Sequence, residues 1–292
     1  MPEALSVLLS KGTVICDGAM GTLLQASGKL AAGGMPEELN LAHPDVVRNV
    51  HRAYIEAGSQ IIETNSFGGS RIRLAKSGLG EKVIEVNESA ARLAREAAGS
   101  TILVAGSMGP LGEMVDPWGP ISFTEARDAF AEQAKALADG GVDIFIIETM
   151  FDLDEMRAAI EAVRSVSALP VITTMTFDQG GRTMMGIRPE TAANALLGMG
   201  ADLIGTNCGR GPAETEVALR AMMAACPEAT FIAQPNAGVP RLIDGVAQFD
   251  ATPDDMARYA KSYAGLGVSI IGGCCGSTPA HIKAMAEALR RP

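Results

Sequence analysis

Aromatic side chains are scarce in this 292-residue chain, where one Trp, three Tyr and eight Phe make up 4% of the residues. Tight protein interfaces usually rest on Tyr and Trp, so the surface is suited to weak, fast-exchanging contacts. A basic excess is missing too. The net charge is −10, which argues against nucleic acid or an anionic membrane surface as a partner. No apolar run reaches the roughly 18 residues of a membrane span, and Met1 to Lys11 carries no basic leader or cleavage signal, so a cytoplasmic location is expected. No Gly-Ser linker, charge block or low-complexity tract divides the chain. With 47% hydrophobic residues, a single domain over residues 1–292 with a sizeable core is expected. Five cysteines, an odd number, fit a reducing compartment in which thiols serve as ligands or nucleophiles.

What the chain does contain is a repeat. Short, nearly continuous apolar runs occur at Thr13–Asp17, Gln60–Thr64, Ile102–Gly106, Asp143–Glu148, Pro170–Met175, Asp202–Thr206, Thr230–Gln234 and Val268–Gly272. Such runs suit parallel strands covered on both faces. Amphipathic helical patterns lie between them, for example Pro44–Ala57 and Phe123–Asp139, and a last one carries Ile282, Met285 and Leu289. Eight βα units in this length predict a (β/α)₈ barrel, with a doubly wound sheet as the alternative. Ala31–Met35 and Met114–Pro120 read as loops.

A barrel gathers its chemistry at the C-terminal strand ends. Those ends carry Asp17, Thr64 and Asn65, Glu148, Cys208, Asn236, and the turn Gly272-Gly273-Cys274-Cys275-Gly276. Two sulfurs at one strand end with a third at another describe a zinc that keeps one position open for a ligand. Adjacent cysteines in a glycine-rich turn are also compatible with inert buried thiols or a redox pair. Cys16 lies within a strand and Cys226 beyond a helix, so both read as plain thiols. Asp17 and Glu148, taken alone, could bind substrate, act as a general base or cap a helix. Thr64 and Asn65 could bind substrate or tie loops together.

Together, Asp17-Gly18-Ala19-Met20-Gly21-Thr22, Glu63-Thr64-Asn65-Ser66-Phe67, Asn207-Cys208, Pro235-Asn236-Ala237-Gly238 and Gly272-Gly273-Cys274-Cys275-Gly276 resemble the homocysteine S-methyltransferase family. Pro36-Glu37-Glu38-Leu39-Asn40 and Asp178-Gln179-Gly180-Gly181-Arg182-Thr183 look most like the homocysteine-binding module of cobalamin-dependent methionine synthase. The resemblance spans nearly the whole chain. It implies a zinc-bearing barrel with Cys208, Cys274 and Cys275 as ligands, Asp17 and Glu148 on the substrate amino group, and Asn236 beside the open metal position. It implies homocysteine as acceptor, activated as a thiolate, since the free thiol is a poor nucleophile at neutral pH.

All eight units are taken up by the barrel, so the methyl donor is expected from elsewhere. The first expectation is methylcobalamin on a separate corrinoid protein, with S-methylmethionine or betaine as alternatives. The sequence departs from the family at Gly209-Arg210-Gly211, where Arg210 either faces solvent or brings a fixed charge to the mouth for a different thiol acceptor. Two readings from other classes remain, a phosphate-binding barrel lyase with Glu148 as base and a zinc-holding or redox-sensing protein.

Overall fold

The computed structural model describes residues 3–30, 34–178, 180–243 and 246–290. The strands, in chain order, are β1 (Val14–Ile15), β2 (Ile61–Glu63), β3 (Leu103–Met108), β4 (Ile144–Met150), β5 (Val171–Met175), β6 (Leu203–Cys208), β7 (Phe231–Pro235), β8 (Arg241–Ile243), β9 (Val246–Gln248) and β10 (Ile270–Ile271). Eight of them form one parallel sheet in the order β1-β10-β7-β6-β5-β4-β3-β2. A parallel bridge between Cys16 and Ile61 joins the two edges, so the sheet closes into a ring. Helices follow the strands, and the molecule is the (β/α)₈ barrel that the repeat predicts. Each apolar run overlaps one barrel strand, and β3, β4, β6 and β7 extend one or two residues past the C-terminal end of their runs. Among the described residues, no helix is long and apolar enough to cross a membrane.

The two-residue alternation along each strand divides the core in two. Ile62, Val104, Phe145, Ile147, Val171, Ile204, Phe231 and Ile271 point outward and pack with the helices. Val14, Cys16, Ile61, Ala105, Ile144, Ile146, Ile172, Leu203, Ile232 and Ile270 point inward as a second cluster. Leu5, on the helix Glu3–Leu9, is 1% exposed and joins that inner cluster. This helix plugs the end of the barrel remote from the strand C-termini. Filling a barrel interior with branched side chains makes it a solid support and not a pore.

Helix boundaries follow local chemistry. Pro44 opens Pro44–Ala57, which ends where Gly58 takes a left-handed conformation. The Ser122 side chain accepts from the Glu125 N–H at the start of Phe123–Asp139. Thr252 and Asp255 form a reciprocal capping box on Pro253–Leu266. The helices Glu3–Leu9 and Met20–Ala26 and the antiparallel ribbon β8–β9 add to the eight-unit repeat. Gly34 and Met35 of the expected loop are described, whereas 31–33 lie outside the described residues. The expected loop Met114–Pro120 is closed by a bridge between Val115 and Ile121.

Candidate active site

Above the apolar inner cluster, the next inward residue on several strands is polar. Glu63 follows Ile61 by two, Ser107 follows Ala105, Glu148 follows Ile146, Thr174 follows Ile172 and Gln234 follows Ile232. The interior thus changes from hydrocarbon to hydrogen-bonding groups over one step toward the strand C-termini. A cavity of about 470 Å³ opens there, lined by Asp17, Glu63, Glu148, Cys208, Cys274 and Cys275 among others.

The sulfurs of Cys208, Cys274 and Cys275 all lie within 4.8 Å of one another. Backbone bonds fix them. The Cys274 N–H donates to Pro235 O at 2.8 Å, the Gly273 N–H to Asp17 O at 2.9 Å, and the Ala237 N–H to Cys275 O at 2.9 Å. The cysteine turn is therefore laced to β7 and to the end of β1. Two glycines are required in it. A side chain at Gly272 would stand 2.8 Å from Asp17 O, and Gly276 has φ +78° with Phe249 only 2.1 Å from a Cβ position. Cys208 itself is left-handed, with φ +60°, a conformation that costs a side-chain-bearing residue roughly 1–2 kcal/mol.

The three thiols are unequal. Hydrogen bonds from Cys274 and Cys275 hold Cys208 far below the ordinary thiol range, and those same bonds, with burial, push the other two up. This donor set fits a soft metal. With metal–sulfur bonds of about 2.3 Å, three thiolates around one zinc stand a little under 4 Å apart, inside the observed limit. The Asn236 amide donates to Gly209 O at 2.7 Å and hydrogen-bonds Cys208, while its Oδ1 is buried without a partner. That oxygen belongs to a side chain in contact with Cys208 and is a donor type that zinc accepts.

Three carboxyls share the floor, and among the described residues none of them is ion-paired. Asp17 is 1% exposed, with Oδ2 accepting from the Glu63 N–H at 3.0 Å and Oδ1 from the Cys16 thiol at 3.6 Å. Glu148 accepts from Ser107 Oγ at 2.5 Å and from Asn207 Nδ2 at 3.1 Å. Glu63 accepts from Gln234 Nε2 at 2.6 Å and from the Cys16 thiol at 3.6 Å. Burial pushes Asp17 and Glu63 up to about 8 and Glu148 well above the carboxylate range. Buried acids raised in this way retain protons more readily than free carboxyls, and a cation beside them would favour release.

Asn207 links the two halves of the site. Its Oδ1 accepts from the Thr149 N–H and from Thr174 Oγ1, both at 2.9 Å, and its Nδ2 donates to Thr149 Oγ1 at 2.8 Å and to Glu148. Thr149 is the second left-handed residue that is not glycine, with φ +62°.

Thr64 and Asn65 line the cavity, yet their side chains tie loops. Thr64 Oγ1 accepts from the Ser107 N–H at 3.0 Å, and Asn65 Nδ2 donates to Pro36 O at 2.8 Å and Asn40 Oδ1 at 2.9 Å. Cys226 sits apart, against Asn194, and Cys16 lies under Asp17. Arg210 faces Asp178 at 3.9 Å across a neighbouring groove, outside the lining of the site cavity. Sequence reasoning passed over Glu63, Ser107, Asn207 and Gln234 as site residues. Period two is the signal that finds Glu63, Ser107 and Gln234, since each lies two positions beyond an inward apolar residue, Ile61, Ala105 and Ile232.

A closed parallel barrel with three thiols and three carboxyls around one mouth is the architecture in hand. Residues 14–289 match the homocysteine S-methyltransferase family, and the chain belongs to that family. It is 35% identical to a methionine synthase of Mycobacterium tuberculosis and 34% identical to one of Mycobacterium leprae, over 98% and 97% of its length. The chain spans about a quarter of the length of those two relatives. Among solved structures, the metallated homocysteine methyltransferase MmuM from Escherichia coli superposes with a TM-score of 0.82 at 26% identity, covering 98% of this chain and 99% of that one. The oxidised form of the same enzyme gives 0.83. A type I 3-dehydroquinate dehydratase from Clostridium difficile, at 13% identity and a TM-score of 0.56, shares the fold alone.

Proposed function

We propose that this chain, as one domain over residues 1–292, transfers a methyl group to the sulfur of homocysteine. Cys208, Cys274 and Cys275 are the residues that would hold zinc, and Asn236 the residue beside its fourth position. The convergence of three sulfurs within 4.8 Å at the edge of an acid-floored cavity carries this reading. Zinc bound there would draw the proton from a coordinating thiol, supplying a thiolate at neutral pH.

The protein's own groups do the rest by placement. Asp17 and Glu148 belong to the floor that receives the substrate ammonium, a role suited to buried acids that ionise when a cation arrives. Thr64 and Asn65 hold the wall through which the substrate enters. Orientation of two reactants, with water excluded, is worth roughly 7–11 kcal/mol at its upper range. The free thiols of the site suit a reducing compartment such as the cytoplasm.

A methyl-corrinoid carried by a protein is the donor we favour, in keeping with the identity to methionine synthases. The test is homocysteine methylation by the zinc-loaded chain against a donor panel. Turnover is expected to be slow or absent with S-methylmethionine and betaine, slow with free methylcobalamin, and much faster with a methylated corrinoid protein. Rapid, saturable turnover with S-methylmethionine alone would overturn the corrinoid assignment and leave a self-sufficient methyltransferase.

A further inference from the structure

The helix that leaves the cysteine turn, Pro279–Arg290, carries His281 in its first turn, 9% exposed. The ring is bonded on both sides. Its Nδ1 accepts from the Thr278 N–H at 3.1 Å, with the Thr278 hydroxyl 2.9 Å from the same nitrogen, and its Nε2 meets Ala251 O at 3.0 Å. A backbone N–H can only donate, so Nδ1 carries the lone pair and Nε2 the proton, which goes to the Ala251 carbonyl. From Ala251 the bonds lead back to the turn. The Ala251 N–H donates to Ala237 O and the Ala237 N–H to Cys275 O, both at 2.9 Å, while the Ser277 N–H and hydroxyl donate to Cys274 O at 3.1 and 2.7 Å.

We propose that His281 is a positioning residue for the cysteine turn, clamping it to the segment after β7 that carries Asn236. Thr278, His281, Ala251, Ala237 and Cys275 form a closed circuit of hydrogen bonds, in which His281 supplies the one side chain and every other link is main chain. Cys275 belongs to the circuit, and Asn236 adjoins Ala237 within it. A helix cap alone does not require a histidine. The ordinary partner at this third helical position is Glu or Gln, whose side chain takes the N–H of the capping residue. Imidazole does the same and adds a donor on its far side, and that donor is the one that closes the circuit through Ala251. This assignment rests on the zinc reading above and names a residue that holds the ligands without touching the metal.

The experiment compares wild type with His281→Ala, His281→Glu and His281→Gln. Zinc affinity is measured by competition with a chromophoric chelator, the thiolate-to-cobalt absorption of cobalt-substituted protein reports the sulfur geometry, and thermal melting of the metal-free protein reports the fold. His281→Ala should lower zinc affinity about tenfold to a hundredfold, the range seen when groups supporting metal ligands are removed, and should shift the cobalt spectrum. His281→Glu completes the helix cap and has no donor for Ala251, so it should melt near wild type yet bind zinc as weakly as His281→Ala. His281→Gln brings an amide N–H as well and should recover most of the affinity and the spectrum. Wild-type affinity and spectrum in both His281→Ala and His281→Glu, with only the melting temperature lowered, would overturn the proposal. Recovery as complete with Glu as with Gln would place the effect in the helix cap and overturn it too. Wild-type protein that binds neither zinc nor cobalt would overturn the zinc reading itself, and the assignment with it.

Discussion

Replacement of Asn207 by alanine tests how the two halves of the site are joined. The side chain is 1% exposed and makes five hydrogen bonds, to the Thr149 N–H, Thr149 Oγ1, Thr174 Oγ1 and the Glu148 carboxyl, and a long one to Cys274 Sγ at 3.9 Å. Each such bond is worth about 1 kcal/mol net, and a buried group left without a partner costs roughly 1–3 kcal/mol. Thr149 adds to this, because its left-handed backbone costs about 1–2 kcal/mol and is held by the bond to Asn207 Oδ1. Water entering from the nearby cavity would satisfy some of the orphaned groups. A net loss of about 2–4 kcal/mol is therefore expected in urea denaturation of the metal-free protein. Thr149 would relax, shifting the adjoining Glu148, so homocysteine affinity should fall at least tenfold in calorimetry. Asn207→Asp keeps the acceptor for the Thr149 N–H and loses both donors. It should cost less stability than Asn207→Ala, yet still impair binding, because it sets a second acid against Glu148. A loss under about 1 kcal/mol in Asn207→Ala with unchanged affinity would show that Thr149 and Glu148 are held by something else.

Cys208→Ala, Cys274→Ala and Cys275→Ala are each expected to lose zinc, measured by elemental analysis, while Cys16→Ala and Cys226→Ala keep about one per chain. Full occupancy in Cys274→Ala would remove the metal assignment. Glu63 holds its proton to about pH 8 when folded and to about 4 when unfolded, so its contribution to stability is complete below pH 4 and is lost as pH rises through 8. The groups facing it are Asp17, Cys16, Glu148 and Gln234, and Gln cannot titrate. Metal-free Glu63→Gln should accordingly gain stability relative to wild type between pH 5 and pH 9, and a difference independent of pH in paired thermal melts would refute this. Leu5→Ala empties the plug of the inner cluster and should lower stability by about 2–4 kcal/mol without changing homocysteine affinity.

Much of the architecture was legible because a barrel strand covered on both faces reads as an unbroken apolar run. Ile144 to Ile147 and Leu203 to Ile204 need no tertiary information to be recognised. The cysteine turn was equally plain, since adjacent sulfurs among glycines have few structural uses. The floor was harder to see. Glu63 looks like the polar end of a strand, and only its inward orientation two residues after Ile61 makes it a site residue. Asn207 is hidden for another reason. Its importance depends on the backbone conformation of Thr149, 58 positions earlier, and no local pattern announces a left-handed threonine. Arg210 shows the limit of reading a charge from its neighbours in sequence. It follows Cys208 by two residues, yet the left-handed turn at Cys208 carries it to Asp178 and away from the cavity.

The two-residue offset between the apolar inner layer and the polar floor constrains how such a molecule can change over generations. On β2, β3, β4, β5 and β7 the supporting residue and the chemical residue are separated by one pleat, Ile61 from Glu63 and Ile232 from Gln234 among them. Inserting or deleting a single residue within such a strand would turn the chemical residue toward the helices and an outer apolar residue into the cavity. Descendants can therefore explore new acceptors by point substitution at the upper layer, or by lengthening the loops beyond it. The strands themselves are closed to changes in length.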